Sequence, residues 1–166
     1  MERNNRKGAP SQNQTLRESP ALIRELTRAM VDEINAITQY TYGQILLQKT
    51  LPVVADLFSS IARTEMRHYH GLGGLLHDLG VSHAPNTAIR NTAYTVDTES
   101  DPQQLSVARR MLNDRIRDEK NASETYRRLA ESAVTEQTRG LLTSLSGDEA
   151  GHAAALAAME KRLAFS

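Results

Sequence analysis

Apolar residues recur at steps of three and four in several long stretches of the chain, which is the spacing of one face of an α-helix. The first stretch begins at Ser19 and Pro20, a good N-cap followed by a residue favoured at the first helical position, and it ends near Lys49. The second runs from about Pro52 to residue 79, and Gly80 is its expected C-cap. This pattern predicts a pair of helices joined by a short link.

The second half of the chain repeats this arrangement. Asp101 and Pro102 begin a third helix that ends near Ser132, and a break at residues 133–135 leads to a fourth. Residues 81–100 have no helical period and predict a long connection. We therefore predict an all-α fold over residues 20–164, a four-helix bundle of two antiparallel helix pairs with a long crossover between helices 2 and 3. Residues 1–19 are polar and predict a disordered tail.

Each predicted apolar face is interrupted near its middle by a glutamate, and two of the faces also carry a histidine three residues later. The interrupting residues are Glu33, Glu65, His68, Glu119, Glu149 and His152. A buried carboxylate without a partner is costly, so four of them need a common explanation. The four glutamates lie at matching distances from the two short turns, and each histidine shares a helix face with its glutamate. We predict that all six side chains converge in one layer of the core.

A layer of four carboxylates and two imidazoles is typical of a metal site. The carboxylates would repel one another, two divalent ions would cancel their formal charge, and the mixed oxygen and nitrogen donors suit iron or manganese. A glutamate from each of two helices, with Glu-x-x-His from each of the other two, is the pattern of di-iron and di-manganese carboxylate bundles. The alternative is a bundle with ordinary Glu–His pairs on its helix surfaces. We predict that these six residues are both metal ligands and catalytic residues.

Composition narrows the class of protein. The 166 residues include no cysteine, which excludes a disulfide scaffold, a four-cysteine iron site and thiol catalysis. The net charge of zero argues against nucleic-acid binding. No apolar run is long enough to span a membrane, and the first residues do not look like a secretory signal. We expect a cytoplasmic protein that binds neither nucleic acid nor membrane.

Four segments resemble proteins of the ferritin-like superfamily, over about residues 20–164. EINAITQY (33–40) is similar to the first helix of bacterioferritins and rubrerythrins, and EMRH (65–68) is similar to the bacterioferritin motif. DEAGH (148–152) fits both families, and DEKNASETYRRLAE (118–131) resembles the rubrerythrin-like branch. The resemblance implies that Glu65 and Glu149 bridge two metal ions. It implies that the terminal ligands are Glu33, Glu119, His68 and His152.

Two tyrosines follow the terminal glutamates by seven residues. By the resemblance, Tyr40 and Tyr126 would lie beside the site and hydrogen-bond a ligand carboxylate. The alternative is that they are core aromatic residues whose hydroxyl groups point to any polar partner.

The sequence also departs from both families. Rubrerythrins carry an additional glutamate where this chain has Ala122, and most carry a rubredoxin domain, which needs cysteines that are absent here. Bacterioferritins have a short fifth helix, whereas this chain stops 14 residues after His152, so we expect no standard 24-subunit cage. Met66 stands at the bacterioferritin haem-ligand position, but a methionine in a helix is usually a packing residue, so we expect no haem.

The sequence therefore predicts a dinuclear metal carboxylate oxidoreductase, with two iron ions, that reacts with O₂ or H₂O₂ as a ferroxidase or peroxidase. Three alternatives stay open: an iron-storage or iron-handling protein, a manganese catalase-like enzyme, and a non-catalytic helical interaction module. We expect a homo-oligomer, a dimer or larger, and a separate electron donor. The remaining histidines are expected to be surface or packing residues: His70, His77 and His83. Three glycines in helix 2 indicate a close helix approach or a local distortion: Gly71, Gly73 and Gly74.

Overall fold

The computed structural model describes residues 17–81 and 101–164, the second range with side chains from residue 105 onward. These residues form four helices: α1 (Pro20–Leu47), α2 (Pro52–Asp78), α3 (Asp101–Ser132) and α4 (Glu136–Ala164). The predicted all-α bundle is confirmed. The predicted tail, up to residue 16, and the crossover, over residues 82–100, lie outside the described residues. None of the helices in the described ranges combines the length and the apolar character that crossing a membrane requires.

The helix ends follow from local hydrogen bonding. Ser19 is the N-cap of α1, and its side-chain Oγ accepts a hydrogen bond of 3.1 Å from the N–H of Leu22. At the end of α2, Gly80 has a φ of 83°, which is the left-handed conformation that favours glycine. The N–H of Gly80 bonds the carbonyl of His77, and the N–H of Val81 bonds that of Leu76. These two bonds form a Schellman motif, so the predicted glycine stop at this helix end is correct.

Contacts between the helices fix their directions. The link of residues 48–51 is too short for anything but an antiparallel α1–α2 pair. Ser123 on α3 donates to the carbonyl of Ser146 on α4, and Arg109 on α3 pairs with Glu160 on α4, so this pair is also antiparallel. Tyr40 on α1 contacts Glu119 on α3, and Glu33 on α1 contacts Tyr126 on α3, so α1 is antiparallel to α3 as well, which makes α2 and α3 parallel. The end of α2 and the start of α3 therefore lie at opposite ends of the bundle, as the predicted crossover requires.

Two apolar clusters fill the bundle on either side of its middle. One lies at the end that holds the α1–α2 link and includes Leu47, Phe58 and Leu112. The other lies at the end that holds the α3–α4 link and includes Leu26, Leu72, Leu142 and Leu145. The glutamates and histidines of the predicted layer lie between these clusters along the helices, so apolar side chains shield the layer from water at both ends.

A glycine that the sequence did not single out, Gly43, permits a close contact between helices. A Cβ atom on Gly43 would lie 2.6 Å from the ring of Phe58 and 2.8 Å from the side chain of Met111. In the predicted glycine group of α2, a Cβ on Gly73 would meet only the flexible tip of Met30, at 3.1 Å, and one on Gly74 would meet nothing within 4 Å. The close approach therefore depends on Gly43 more than on the glycines of α2.

Glu18, which the sequence placed in the polar tail, is only 5% exposed. Its carboxylate accepts hydrogen bonds from the backbone N–H groups of Val134 and Thr135 and from the Thr135 hydroxyl, at 2.8–2.9 Å. These groups lie just before α4, so Glu18 ties the start of α1 to the α3–α4 link. The sequence did not reveal this contact because Glu18 and its partners are more than a hundred residues apart.

Candidate metal centre

The structure brings all six side chains of the predicted layer together. The four glutamates are between 1% and 5% exposed, and His68 is 3% exposed. The side chain of His152 is 13% exposed. Each helix contributes one glutamate from its inward face, at the same level between the two apolar clusters, because the helical period that buries the neighbouring apolar residues buries these positions too.

Two sets of four residues, among those that the structure describes, could each hold a metal ion. One set is Glu33, Glu65, His68 and Glu149, and the other is Glu65, Glu119, Glu149 and His152. Within each set, one ligand atom per residue lies within 4.8 Å of the others. Glu65 and Glu149 belong to both sets, so the arrangement has two positions for metal ions that share two carboxylates.

Each histidine lies close to both of the shared glutamates. Nδ1 of His68 lies 3.0 Å from Glu65 and 3.1 Å from Glu149. Nδ1 of His152 lies 2.9 Å from Glu65 and 3.1 Å from Glu149. The remaining glutamates lie slightly farther away, Glu33 at 3.8 Å from His68 and Glu119 at 3.4 Å from His152. The two imidazole rings stack with their centroids 5.8 Å apart. In each ring, Nδ1 is the nitrogen that faces the carboxylates of the layer.

Each buried tyrosine crosses from one helix pair to the other. The hydroxyl of Tyr40 on α1 donates a hydrogen bond to Glu119 on α3, and the hydroxyl of Tyr126 on α3 donates one to Glu33 on α1. Of the two interpretations that the sequence left open, contact with a glutamate of the layer is therefore the observed one. These two reciprocal hydrogen bonds show that α1 and α3 are related by an approximate twofold axis.

Burial and mutual attraction shift the pKa values of this layer in opposite directions. Burial raises the pKa of Glu33 to about 8 and that of Glu119 to about 7. Burial also opposes ionisation of Glu65 and Glu149, but hydrogen bonds from both histidines outweigh it and hold the pKa of each below 4.5.

The histidines show the complementary effect. Burial acts to lower their pKa values, but the surrounding carboxylates raise the pKa of His68 to about 12 and that of His152 to about 11. In the metal-free chain two imidazolium ions therefore face two ionised carboxylates, Glu65 and Glu149. Near pH 7 the carboxyl group of Glu33 is mostly protonated and that of Glu119 is about half protonated, which limits the repulsion that the sequence predicted.

Two residues beside the layer were not recognised as site residues from the sequence. Asp148 Oδ2 lies 3.1 Å from Nε2 of His68, on the far side of the ring from the glutamates. Arg115 lies one turn before Glu119 on α3, is 8% exposed and pairs with Asp118 at 2.8 Å. An arginine four residues before a buried glutamate is a signal that the sequence contained. The contact between Asp148 and His68 joins two helices and has no local signal.

A cavity of about 560 Å³ opens between α1 and α3 and reaches all four glutamates. Its wall includes Ala36 and Ala122, each three residues after a glutamate of the layer. Ala122 is the position where rubrerythrins carry an additional glutamate, so the small side chain leaves this approach open.

The other residues considered from the sequence lie apart from the layer. His70 and His77 are exposed, as expected, and His83 lies outside the described residues. Met66 is 43% exposed, so it does not pack in the core of this chain, and the expectation that the protein holds no haem stays a prediction. Its position on α2, next to Glu65 but on the outward face, accounts for the exposure.

Comparisons with known proteins identify the family of this chain. A search of curated proteins found no match. Among solved structures, the chain is similar to a dodecameric thioferritin, the bacterioferritin-related protein from Bacteroides fragilis, with 18% identity and a TM-score of 0.68. The alignment covers 87% of this chain and 86% of that one, and at this identity it shows the fold alone. The Rubrerythrin family model matches residues 25–160, which include the whole six-residue layer. The chain belongs to the rubrerythrin family, within the ferritin-like superfamily.

Proposed function

We propose that this protein is a dinuclear metal carboxylate oxidoreductase, with two iron ions, that reacts with O₂ or H₂O₂. The observation that carries the proposal is the sharing of Glu65 and Glu149 between two sets of ligand atoms, each completed by one further glutamate and one histidine. Two divalent ions bound there would balance the four negative charges of the carboxylates. Without metal ions, the layer must bind protons to reach the same balance. Bound iron would supply the redox chemistry.

Each residue has a defined part in this proposal. Glu65 and Glu149 would be shared by the two ions, and Glu33 and His68 would complete one position and Glu119 and His152 the other. Nδ1 of each histidine is the ligand atom, because it faces the carboxylates. Tyr40 and Tyr126 hold one oxygen of each terminal carboxylate and so fix the direction of the other.

The cavity between α1 and α3 is the proposed approach for O₂, H₂O₂ and metal ions. The cavity reaches Glu33 and Glu119 from the side, whereas the two apolar clusters fill the bundle toward either end. The small side chains of Ala36 and Ala122 form part of its wall. Because the cavity is far larger than either oxidant, size does not restrict which of them enters.

Metal content and Fe²⁺ oxidation test the proposal. Purified protein should bind about two iron ions per chain and should oxidise added Fe²⁺ faster than buffer does. The Fe²⁺ form should change its optical spectrum when H₂O₂ is added. Glu65→Ala should abolish binding at both positions, whereas Glu131→Ala, which removes a 65% exposed carboxylate on α3, should change neither binding nor oxidation. Circular dichroism would establish that both variants are folded.

A folded wild-type chain that binds neither iron nor manganese would overturn the proposal. So would a Glu65→Ala variant with unchanged metal content, since the layer would then be a structural feature of a non-catalytic bundle. Parallel loading with Mn²⁺ and a test for H₂O₂ disproportionation would distinguish the manganese catalase-like alternative.

Iron storage is the second candidate, and the fold of the dodecameric thioferritin favours it. A storage role requires a closed assembly that holds many iron ions per chain. An oxidoreductase needs only the two ions of the layer, and the proposed homo-oligomer could then be as small as a dimer. Light scattering combined with iron analysis after Fe²⁺ loading separates the two roles. The cytoplasmic location and the separate electron donor stay predictions.

A further inference from the structure

The two halves of the candidate metal centre repeat each other closely. Around the terminal glutamates, α1 carries DEINA (32–36) and α3 carries DEKNA (118–122). Around the bridging glutamates, α2 carries TEMRH (64–68) and α4 carries DEAGH (148–152). The crossed tyrosine contacts show that the structure places these segments symmetrically. A charge present in only one half would therefore make the two metal positions unequal.

One such charge is Asp148, which lies on the His68 side of the centre. Its carboxylate is 53% exposed, but it contacts the ring directly: Oδ2 lies 3.1 Å from Nε2 of His68 and accepts the proton that this nitrogen carries when Nδ1 binds a metal. The equivalent residue in the other half is Thr64, which is uncharged and whose hydroxyl oxygen accepts a hydrogen bond from Arg67. A carboxylate that accepts the other ring N–H makes an imidazole a stronger metal ligand. Of the equivalent residues Asp148 and Thr64, only Asp148 supplies such a carboxylate, and it supplies it to His68.

A second charge without a counterpart is Arg115, which lies on the Glu119 side and is buried, unlike the exposed Arg67 and Lys120 of the segments above. It is four residues before Glu119, and the residue four before Glu33 is Ala29. Burial raises the pKa of Tyr40, the partner of Glu119, well above its usual value, and the charge of Arg115 opposes that rise. Its ion-pair partner Asp118 is 45% exposed and has a counterpart in Asp32, so the guanidinium is the unmatched charge.

We propose that the two metal positions bind divalent cations unequally, and that the position at Glu33 and His68 binds more tightly than the position at Glu119 and His152. This inference rests on the proposed dinuclear function. Asp148 strengthens the first position, and the buried positive charge of Arg115 weakens the second. The two arginines that line the cavity beside Arg115, Arg28 and Arg128, are exposed, and Arg28 pairs with Glu25, so water screens their charges.

Cobalt(II) binding to single-position variants tests the proposal by visible absorption. Stepwise binding to the wild type does not suffice, because a first ion weakens the binding of a second even at equal positions. Glu119→Ala leaves the Glu33 position, and Glu33→Ala leaves the Glu119 position. We expect Glu119→Ala to bind its one Co²⁺ about 10- to 100-fold more tightly than Glu33→Ala binds its own.

Second substitutions assign the difference to the two charges. In the Glu33→Ala chain, Arg115→Met should tighten Co²⁺ binding and Arg115→Lys, which keeps the charge, should not. In the Glu119→Ala chain, Asp148→Asn should weaken it. Equal affinities of the two single variants, or tighter binding by Glu33→Ala, would overturn the inequality. A wild type that binds no Co²⁺, Mn²⁺ or Fe²⁺ would instead overturn the proposed function.

A measurement on the wild-type chain covers the case in which a variant does not fold. With one equivalent of Co²⁺, the hyperfine-shifted ring N–H resonance in the NMR spectrum should belong to His68, where the bond to Asp148 slows exchange with water. Asp148→Asn should speed the exchange of that resonance. A resonance that Asp148→Asn leaves unchanged would place the first ion at His152 and overturn the proposal.

Discussion

The hydroxyl of Tyr126 on α3 donates a hydrogen bond to the carboxylate of Glu33 on α1. This contact joins the two helix pairs through a residue of the candidate metal centre, and Tyr40 repeats it toward Glu119. A carboxylate with one oxygen held by a neighbour presents its other oxygen in a fixed direction. The tyrosines therefore hold the carboxylates of Glu33 and Glu119 in place and link the packing of the bundle to the geometry of the candidate centre.

Replacing Tyr126 with phenylalanine removes this hydrogen bond and keeps the ring. We expect Tyr126→Phe to weaken metal binding about tenfold, since partners of ligand carboxylates typically contribute this much or more. Competition with a chelator during Fe²⁺ or Co²⁺ titration measures the change. Tyr42→Phe is the matched control, because Tyr42 is 43% exposed on α1, and it should bind metal as the wild type does. Equal affinities for both variants would show that the hydroxyl only fills space.

Metal binding should release protons in a pH-dependent way. Burial raises the pKa of Glu33 to about 8 and that of Glu119 to about 7, and the carboxylates raise the pKa values of His68 and His152 to about 12 and 11. All four groups must lose their protons to act as ligands, so affinity should increase with pH. Near pH 7 we expect release of about three protons per pair of ions, falling to about two at pH 9, where the glutamates are already ionised.

Titration calorimetry in buffers of different ionisation enthalpy counts these protons. The Glu65→Ala variant controls for protons released elsewhere in the chain. The same proton count at pH 7 and pH 9, or an affinity that decreases as the pH rises, would contradict the assignment of these groups as protonated in the metal-free chain.

Glu18 should stabilise the fold most above its pKa. Burial opposes its ionisation, but hydrogen bonds from the backbone of Val134 and Thr135 outweigh this and lower its pKa below 4.5. A lowered pKa contributes stability that is present above the unfolded value and is lost as the pH falls through the folded value. We expect Glu18→Gln to lower the free energy of unfolding by about 1–3 kcal/mol at pH 7, and by less near pH 3.

Urea denaturation of the metal-free chain at the two pH values measures this effect. Glu25→Gln is the control, because the pair of Glu25 with Arg28 is exposed and should contribute under about 1 kcal/mol. If Glu18→Gln were no more destabilising than Glu25→Gln at pH 7, the contact with the α3–α4 link would be weak in solution.

Two glycine substitutions should change stability in opposite directions. Gly43→Ala would force its Cβ against the Phe58 ring, and we expect a loss of about 1–3 kcal/mol. Gly74 lies in the interior of α2, and a Cβ added there would meet nothing within 4 Å. Because alanine has less backbone entropy than glycine in the unfolded chain, Gly74→Ala should raise the free energy of unfolding by about 0.5–1 kcal/mol. Urea denaturation of both variants and of the wild type measures these changes in the free energy of unfolding. Equal effects would mean that α1 and α2 can separate at Gly43 without cost.

The sequence predicted most of the fold because the helical period is a local property. Leu26, Phe58 and Leu142 are buried because residues three and four apart share a face. The starts of α1, α2 and α3 and the end of α2 follow from a nearby proline, serine or glycine. The same period predicted that the glutamates and histidines of the layer face inward. It could not predict Gly43 as a close contact, because the Phe58 ring that requires it lies on another helix.

The sequence by itself determined the helices, the residues on each helix that face the core and the chemistry of their side chains. These depend on spacing along single helices and on residue type. Only the tertiary structure decided which residues meet across helices. Glu65 and Glu149 are shared by both ligand sets, each tyrosine reaches the opposite glutamate, Asp148 contacts His68, and Glu18 caps the α3–α4 link. Such contacts join residues far apart in the chain, so their geometry depends on how the helices pack and not on any local pattern.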